Sequence, residues 1–172
     1  MPIIENEKNI LKRIQNIRKL LKPIVKRDIS AYPKTNNMEI LYSAFEQSKT
    51  TSDYRATRFR TKNPDYEGNY FERWTKVKIN KWKLTQAYLT IYYDNKEIVA
   101  LHCNPDISTK DPIYKYKSGP HIHVNHSNSN ISKAHIALNL SNIDAVTENF
   151  DDFEKAISNA VIMIKDEIIE RL

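Results

Sequence analysis

Hydrophobic residues recur at helical spacing near both ends of the chain. The first stripe lies within residues 5–27 and consists of Ile10, Ile14, Ile17 and Leu21. The second lies within residues 150–172 and consists of Phe153, Ile157, Ala160, Val161, Ile164 and Ile168. Because apolar positions three and four residues apart share one face of a helix, both segments are predicted to be amphipathic helices. Pro23 is expected to kink or end the first helix.

Between the two helices, the apolar positions alternate with a period of two, which is typical of strands. The predicted strands occupy residues 38–46, 53–62, 70–80, 84–93, 97–103, 120–126 and 134–140. Residues 28–37, which include Pro33, are predicted to be a connector. The sequence therefore predicts a single α+β domain over residues 1–172, in which a largely antiparallel sheet of about six or seven strands spans residues 38–140.

The two predicted helices carry opposite charge. The polar face of the first is basic and carries Lys8, Lys12, Arg13, Arg18, Lys19, Lys22, Lys26 and Arg27. The second follows the helix-capping residue Asn149 and begins with Asp151, Asp152 and Glu154. The 172-residue chain has a net charge of +6, which favours an anionic partner, and nucleic acid is the commonest. The opposed charges of the helices also suit a protein partner in a complex.

The chain contains one cysteine, Cys103, so an internal disulfide is excluded and a reducing cytoplasm is indicated. Hydrophobic residues make up 40% and charged residues 28% of the sequence, which is typical of a soluble globular protein. No apolar run approaches the ~20 residues that a membrane-spanning helix needs, and no membrane partner is expected.

Cations and aromatic residues are interleaved between Lys49 and Lys83, a stretch with ten basic and four acidic residues. Phosphate contacts from cations, combined with base stacking on aromatic rings, are a usual means of binding nucleic acid. The predicted nucleic-acid-binding residues are Arg55, Arg58, Arg60, Lys62, Trp74, Lys76, Lys78, Lys115 and Lys117. The other interpretation is a solvated sheet face with the tryptophans packed under a helix.

Four of the five histidines lie between His121 and His135. Residues 120–126 and 134–140 flank a segment rich in Asn and Ser and are predicted to pair as a hairpin. His121 and His123 would share one strand face, and His135 on the partner strand would complete a three-histidine metal site. Zinc, manganese and magnesium are the candidate ions. Other sources of a ligand are Asp106, Asp111 and the His102–Cys103 pair.

The same histidines support a metal-free interpretation. His121, His123 and His135 would act as base and acid across a phosphodiester, and a nearby lysine would stabilise the charged transition state. The candidate lysines are Lys115, Lys117 and Lys133. A third interpretation is that the imidazoles only hydrogen-bond to their neighbours and have a packing role.

Two resemblances involve this region. The segment Pro120-His121-Ile122-His123 resembles the metal-binding strand of HUH-type replication initiators and relaxases, although those enzymes also use a tyrosine on a later helix and no tyrosine follows Tyr116 here. The C-terminal half resembles small prokaryotic toxins of the TumE type in the order of a strand, the Gly119–His123 segment and a C-terminal helix, but it lacks their doubled His-His and has different spacing. This second resemblance implies a toxin–antitoxin or anti-phage system.

These features predict a cytoplasmic prokaryotic protein of defence, toxin–antitoxin or mobile-element systems that acts on nucleic acid. His121, His123 and His135 would be the catalytic residues of a phosphodiesterase or nuclease. The alternative is a non-catalytic accessory subunit that binds a protein partner or nucleic acid in a multi-protein defence complex. The distinguishing feature is whether the three histidines converge in an open cleft.

Overall fold

The computed structural model of the chain describes residues 3–27, 29–35, 38–46, 58–103, 121–124, 134–137 and 150–170. The helices are α1 (Glu7–Leu21) and α2 (Phe150–Ile164), and α2 continues into a π-helical turn (Lys165–Ile169). The strands are β1 (Ile4–Glu5), β2 (Ile29–Thr35), β3 (Glu39–Glu46), β4 (Phe59–Arg60), β5 (Tyr66–Lys78), β6 (Lys81–Tyr93), β7 (Lys96–Cys103), β8 (His121–Val124) and β9 (Ala134–Ala137). The predicted α+β class, with a helix near each end of the chain, is confirmed.

All strand pairs among the described residues are antiparallel. Seven strands follow the order β2-β3-β5-β6-β7-β8-β9, while β1 pairs with β6 and β4 with β5. The 13-residue strands β5 and β6 form the centre, and each is long enough to take two partners along its outer edge. β5 pairs with β3 and β4, and β6 pairs with β7 and β1.

The two ends of α1 can be explained by residues close to them in sequence. The Asn6 side chain accepts a hydrogen bond from the Asn9 backbone N–H at 2.8 Å, which caps the first turn. α1 ends at Leu21, two residues before Pro23. The predicted apolar stripe is buried, and it packs with the stripe of α2 in one hydrophobic core. Both predicted stripes are therefore confirmed.

The two helices pack on one face of the sheet. The strand residues that share their core are Tyr70, Trp74, Leu84, Ala87, Leu89, Ile91, Val99, Leu101 and Cys103. The residues that alternate with these project from the opposite face, where the register aligns them in rows across the strands. One row contains Phe71, Tyr88, His102 and His121, and the next contains Asn69, Thr90, Ala100 and His123. Several residues of these rows are also buried, so burial is not confined to the helix side.

Two sequence predictions are corrected by the fold. Residues 28–37 were predicted to be a connector, but β2 pairs with β3 from Ile29 to Thr35. Pro33 is compatible with this strand because β2 lies at the edge of the sheet formed by the described strands, and edge strands tolerate proline. Arg13 was predicted on the solvated face of α1, but it is only 1% exposed, because it forms an ion pair in the core.

The predicted histidine hairpin is confirmed where the structure describes it. β8 and β9 pair antiparallel from His121–Ala137 to Val124–Ala134. The remaining positions of the segments 120–126 and 134–140 lie outside the described residues, as does most of the predicted strand 53–62 before β4. In the described ranges, no helix is both long and apolar enough to cross a bilayer.

Candidate metal centre

A histidine cluster lies where β7 and β8 pair. Their register places His102 opposite His121 and Ala100 opposite His123. Opposed residues of an antiparallel pair project on the same face, with Cβ atoms roughly 4.5–5.5 Å apart. All three imidazoles therefore extend from the sheet face opposite the helices. Ala100 has only a methyl group, which leaves room for the rings of His102 and His123 to approach each other.

The three rings are close enough to share one ion. Ring centroids are separated by 4.0 Å for His102–His123, 4.9 Å for His121–His123 and 5.8 Å for His102–His121. One ring nitrogen from each lies within 4.8 Å of the other two. The Nε2 atoms of His121 and His123 are 3.0 Å apart, a hydrogen-bond distance. Two nitrogens on one tetrahedral zinc ion lie about 3.3 Å apart, so the spacing of the His121 and His123 nitrogens is close to the one that shared coordination requires.

The surroundings orient the cluster and define its accessible side. His121 is 1% and His123 is 8% exposed, whereas His102 is half-buried. The Tyr88 ring meets His102 edge-on with centroids 4.6 Å apart, and Phe71 stacks on Tyr88 at 6.1 Å. This aromatic row restrains the His102 ring, which is the most exposed of the three imidazoles.

The donor set selects a class of ion. The group consists of three imidazoles without a carboxylate from the described residues. Imidazole nitrogen suits zinc and the neighbouring transition metals, whereas magnesium prefers oxygen ligands. Among the ions considered from the sequence, zinc therefore fits these residues best, manganese less well and magnesium poorly.

The structure supplies a different third histidine from the expected one. His135 is the register partner of His123 on β9, and its side chain lies outside what the structure describes. His102 instead meets His121 and His123 from the other side of β8. Its neighbour Cys103 belongs to the helix-side core, on the other face of the sheet, and is not part of this cluster. Two other candidate ligands, Asp106 and Asp111, lie outside the described residues.

The sequence predicts on which face of its strand His102 lies. It does not predict which strand pairs with that strand. Strand alternation over residues 97–103 separates His102 from Cys103 and places Ala100 on the histidine side. The neighbour of β7 cannot be inferred from this pattern, because 17 residues, 104–120, connect it to β8.

The predicted nucleic-acid-binding residues that the structure describes do not form one surface. Trp74 is fully buried, and its indole Nε1 donates a hydrogen bond to Glu72 at 3.0 Å, so its ring is not exposed for base stacking. The Arg58 guanidinium lies 3.8 Å from the centroid of the Tyr92 ring and pairs with Glu67 at 3.0 Å. Three further predicted residues are outside the described ranges: Arg55, Lys115 and Lys117.

The other predicted cations lie at opposite ends of β5. Arg60 is the register partner of Glu67, near the start of β5, whereas Lys76 and Lys78 lie near its end. At ~3.3 Å per residue, the two groups are roughly 30 Å apart along the strand. One nucleic-acid contact of a few nucleotides would not cover both groups.

Arg60 and Lys62 instead join the end of the basic N-terminal segment. The Lys26 backbone N–H donates to the Arg60 carbonyl at 3.0 Å, and the Lys62 N–H donates to the Ile24 carbonyl at 3.0 Å. These bonds flank a bridge between Val25 and Thr61. The bridge gathers five exposed cations, which we call the basic patch: Lys22, Lys26, Arg27, Arg60 and Lys62. The sequence did not reveal this patch because its two halves are far apart along the chain.

A second polar cluster lies on the helix side of the sheet. Glu72 accepts hydrogen bonds from Arg13 Nε at 2.8 Å, from the Tyr70 hydroxyl and from the Trp74 indole. Arg13 also reaches Glu154 of α2 at 3.4 Å. Because the Arg13 and Glu72 side chains are 0% and 1% exposed, this cluster connects the helices to the sheet and is not accessible to a ligand.

The fold and the site define an α+β protein with a histidine cluster on the sheet face opposite α1 and α2. Comparison with known proteins gave no match among family models, curated proteins or solved structures. The function is therefore argued from the chemistry of the site.

Proposed function

We propose that this protein is a metal-dependent phosphodiesterase acting on nucleic acid, in which His102, His121 and His123 hold a zinc-class ion. The supporting observation is that one ring nitrogen of each histidine lies within 4.8 Å of the other two. Three protein ligands leave the fourth position of a tetrahedral ion for water, as in catalytic zinc sites. The half-buried His102 provides the accessible side.

The chemistry follows from the ligands. An ion of this class lowers the pKa of bound water and polarises a phosphoryl oxygen. In the hydrolysis, the attacking water would lose a proton to solvent as its oxygen bonds to phosphorus, one P–O ester bond would break, and the leaving oxygen would take up a proton. His135, opposite His123 in register, is the candidate proton donor.

Charge supports an anionic substrate. The chain carries a net charge of +6, and the basic patch presents five exposed cations from two segments. Contacts of this kind bind phosphates without reading sequence. The substrate class is thus nucleic acid, with the basic patch as the candidate phosphate contact.

The proposed cellular setting is prokaryotic defence, toxin–antitoxin or mobile-element biology in the cytoplasm. Its support is the resemblance of residues 120–123 and of the C-terminal half to proteins of such systems. A neighbouring gene for an antitoxin, nuclease or ATPase is expected. Neighbours that belong only to central metabolism would contradict this setting.

A second candidate function is that of a non-catalytic accessory subunit. It is favoured by the burial of His121 and His123, which are 1% and 8% exposed. Histidines that are inaccessible to a substrate would bind a structural ion, or would only form a hydrogen bond with each other. The protein would then act through its surfaces, by binding a protein partner or nucleic acid.

Metal analysis of the purified 172-residue chain tests the site, and a nuclease assay tests the activity. About one zinc-class ion per chain is expected. The variants H102A, H121A and H123A should each lose the ion and the cleavage of DNA or RNA, whereas the control C103S, next to His102 but on the other face of the sheet, should retain both. Bound metal without cleavage would support the accessory subunit. Cleavage that persists after chelation would support metal-free acid–base catalysis, and the absence of both metal and cleavage would leave the histidines with a packing role.

A further inference from the structure

Exposed apolar side chains collect at one end of the sheet. The described residues include seven exposed large hydrophobic side chains, and four of them form this group, which we call the apolar end: Ile4, Met38, Val77 and Ile79. Ile79 is 90% and Met38 is 63% exposed. Ile4 is the register partner of Lys83, and the Met38 carbonyl accepts a hydrogen bond from the Lys76 N–H at 2.8 Å. Ile4 and Met38 therefore flank the β5–β6 hairpin that carries Val77 and Ile79.

Lysines surround the apolar end. Residues 76–83 read Lys-Val-Lys-Ile-Asn-Lys-Trp-Lys, so cations alternate with apolar residues around the turn. The carboxylates nearest in register are Glu5 and Glu39. Glu39 lies 3.7 Å from Arg73, and Glu5 keeps its charge because its partner at 2.7 Å is the neutral Asn9 amide. The four lysines of residues 76–83 therefore outnumber these two carboxylates. The potential at this end is therefore positive, which suits an anionic partner.

Val77 and Ile79 lie on the ordered hairpin turn between β5 and β6. The register shifts between Lys76 and Lys78, which leaves Val77 without a partner on β6 and forms a β-bulge. Asn80 has a φ of 52°, a left-handed conformation that asparagine tolerates, and it completes the turn. Below the turn, the Lys76 ammonium lies 5.7 Å from the centre of the buried Trp82 ring. The apolar side chains thus project from an ordered turn.

We propose that the apolar end attaches the protein to the surface of an anionic lipid membrane. The negative surface potential of such a membrane attracts lysines, and aliphatic side chains enter the boundary between headgroups and acyl chains. This attachment is peripheral and does not require a spanning helix.

Two other anionic partners fit this surface less well. Nucleic acid would stack its bases on exposed aromatic rings, but Trp74 and Trp82 are only 0% and 4% exposed. A stable protein interface uses about 20–30 residues on each side. The apolar end with its lysines is much smaller, whereas insertion into a lipid surface needs only a few side chains.

Co-sedimentation of the 172-residue chain with lipid vesicles tests the proposal. Vesicles of phosphatidylcholine with about 30% phosphatidylserine should bind the protein, and vesicles of phosphatidylcholine alone should bind it weakly. Raising the salt to about 0.5 M should weaken the binding. The variant V77S/I79S should lose at least about tenfold in affinity, and K78A/K81A should lose a similar amount. The matched controls, L11S/I162S and K96A/K155A, replace exposed residues outside the apolar end and outside the basic patch and should bind like the wild type.

Several results would overturn the proposal. One is equal vesicle binding by V77S/I79S and L11S/I162S. Another is the absence of binding to anionic vesicles. If V77S/I79S then loses affinity for an oligonucleotide, the apolar end binds nucleic acid and not lipid. Circular dichroism verifies that the variants are folded, and I79N provides a single substitution at the turn if the double variant unfolds. Metal content should be unchanged in all of them, so this test is independent of the proposed metal site.

Discussion

Arg13 and Glu72 form an ion pair inside the core, with Nε and Oε1 2.8 Å apart and side chains that are 0% and 1% exposed. An isolated buried charge is costly. Glu72 compensates by also accepting hydrogen bonds from the Tyr70 hydroxyl and the Trp74 indole. Because Arg13 lies on α1 and contacts Glu154 on α2, the pair links both helices to the sheet.

The charge state of Arg13 does not vary with pH in the neutral range. Burial by itself lowers the pKa of the guanidinium, but the Glu72 carboxylate, Tyr70 and Glu154 raise it, and the net shift is upward. A group whose pKa is higher in the folded state stabilises the fold below its unfolded-state pKa, and this stabilisation is lost only as the pH rises through the folded-state pKa. That range lies far above neutrality for arginine.

Replacing Arg13 by methionine should lower the free energy of unfolding by about 3–5 kcal/mol, because the Glu72 carboxylate would stay buried without its cation. Urea unfolding measures the change. The control K12M replaces an exposed lysine of the same helix and should cost less than about 0.5 kcal/mol. The double variant R13M/E72Q should recover part of the loss, since no unpaired charge remains. Equal costs for R13M and K12M would contradict the role of the pair.

Gly68→Ala should destabilise the protein by about 1–3 kcal/mol, because the new methyl group would overlap the Phe59 ring. Phe59 is the register partner of Gly68 and is fully buried, so the ring cannot move into solvent without cost. Thermal unfolding followed by circular dichroism gives the loss. In G68A/F59L, the smaller side chain should make the combined loss less than the sum of the two single losses. Additive losses would show that the two residues are not in contact.

The helices could be predicted because their burial depends on local spacing. Arg13 shows the limit of this reasoning. It lies three residues after Ile10, within the apolar stripe, but its charge suggested a solvated position. Its partner Glu72 is 59 residues away in sequence, and no local pattern connects the two.

The part of the histidine site that depends on local spacing could also be predicted from the sequence. The shared face of His121 and His123 follows from the period of a strand, and the pairing of β8 with β9 follows from the short polar segment between them. The position of His102 beside them depends on the order of strands in the sheet. That order is set by contacts across long connections, which the hydrophobic pattern does not encode.

The Cys103 thiol should resist alkylation in the folded protein. Burial raises its pKa, so the reactive thiolate is scarce, and the side chain is 1% exposed. Treatment with iodoacetamide, followed by intact-mass measurement, should show no adduct on the folded chain and one adduct on the urea-unfolded chain. Chelation of metal should not change this result, because Cys103 lies on the helix side of the sheet. Rapid labelling of the folded chain would contradict the assigned burial.

Zinc should raise the melting temperature, because an ion bound only by the folded site stabilises it by about 2.7 kcal/mol at a hundred times the dissociation constant. The protein is first treated with a chelator and exchanged into buffer, and zinc is then added stepwise during thermal scans. The shift should disappear in H102A, since the rings of His102 and His123 are 4.0 Å apart. The control C103S alters the adjacent residue on the other face and should keep the shift. A shift that survives in H102A but is lost in H135A would assign the third ligand to β9.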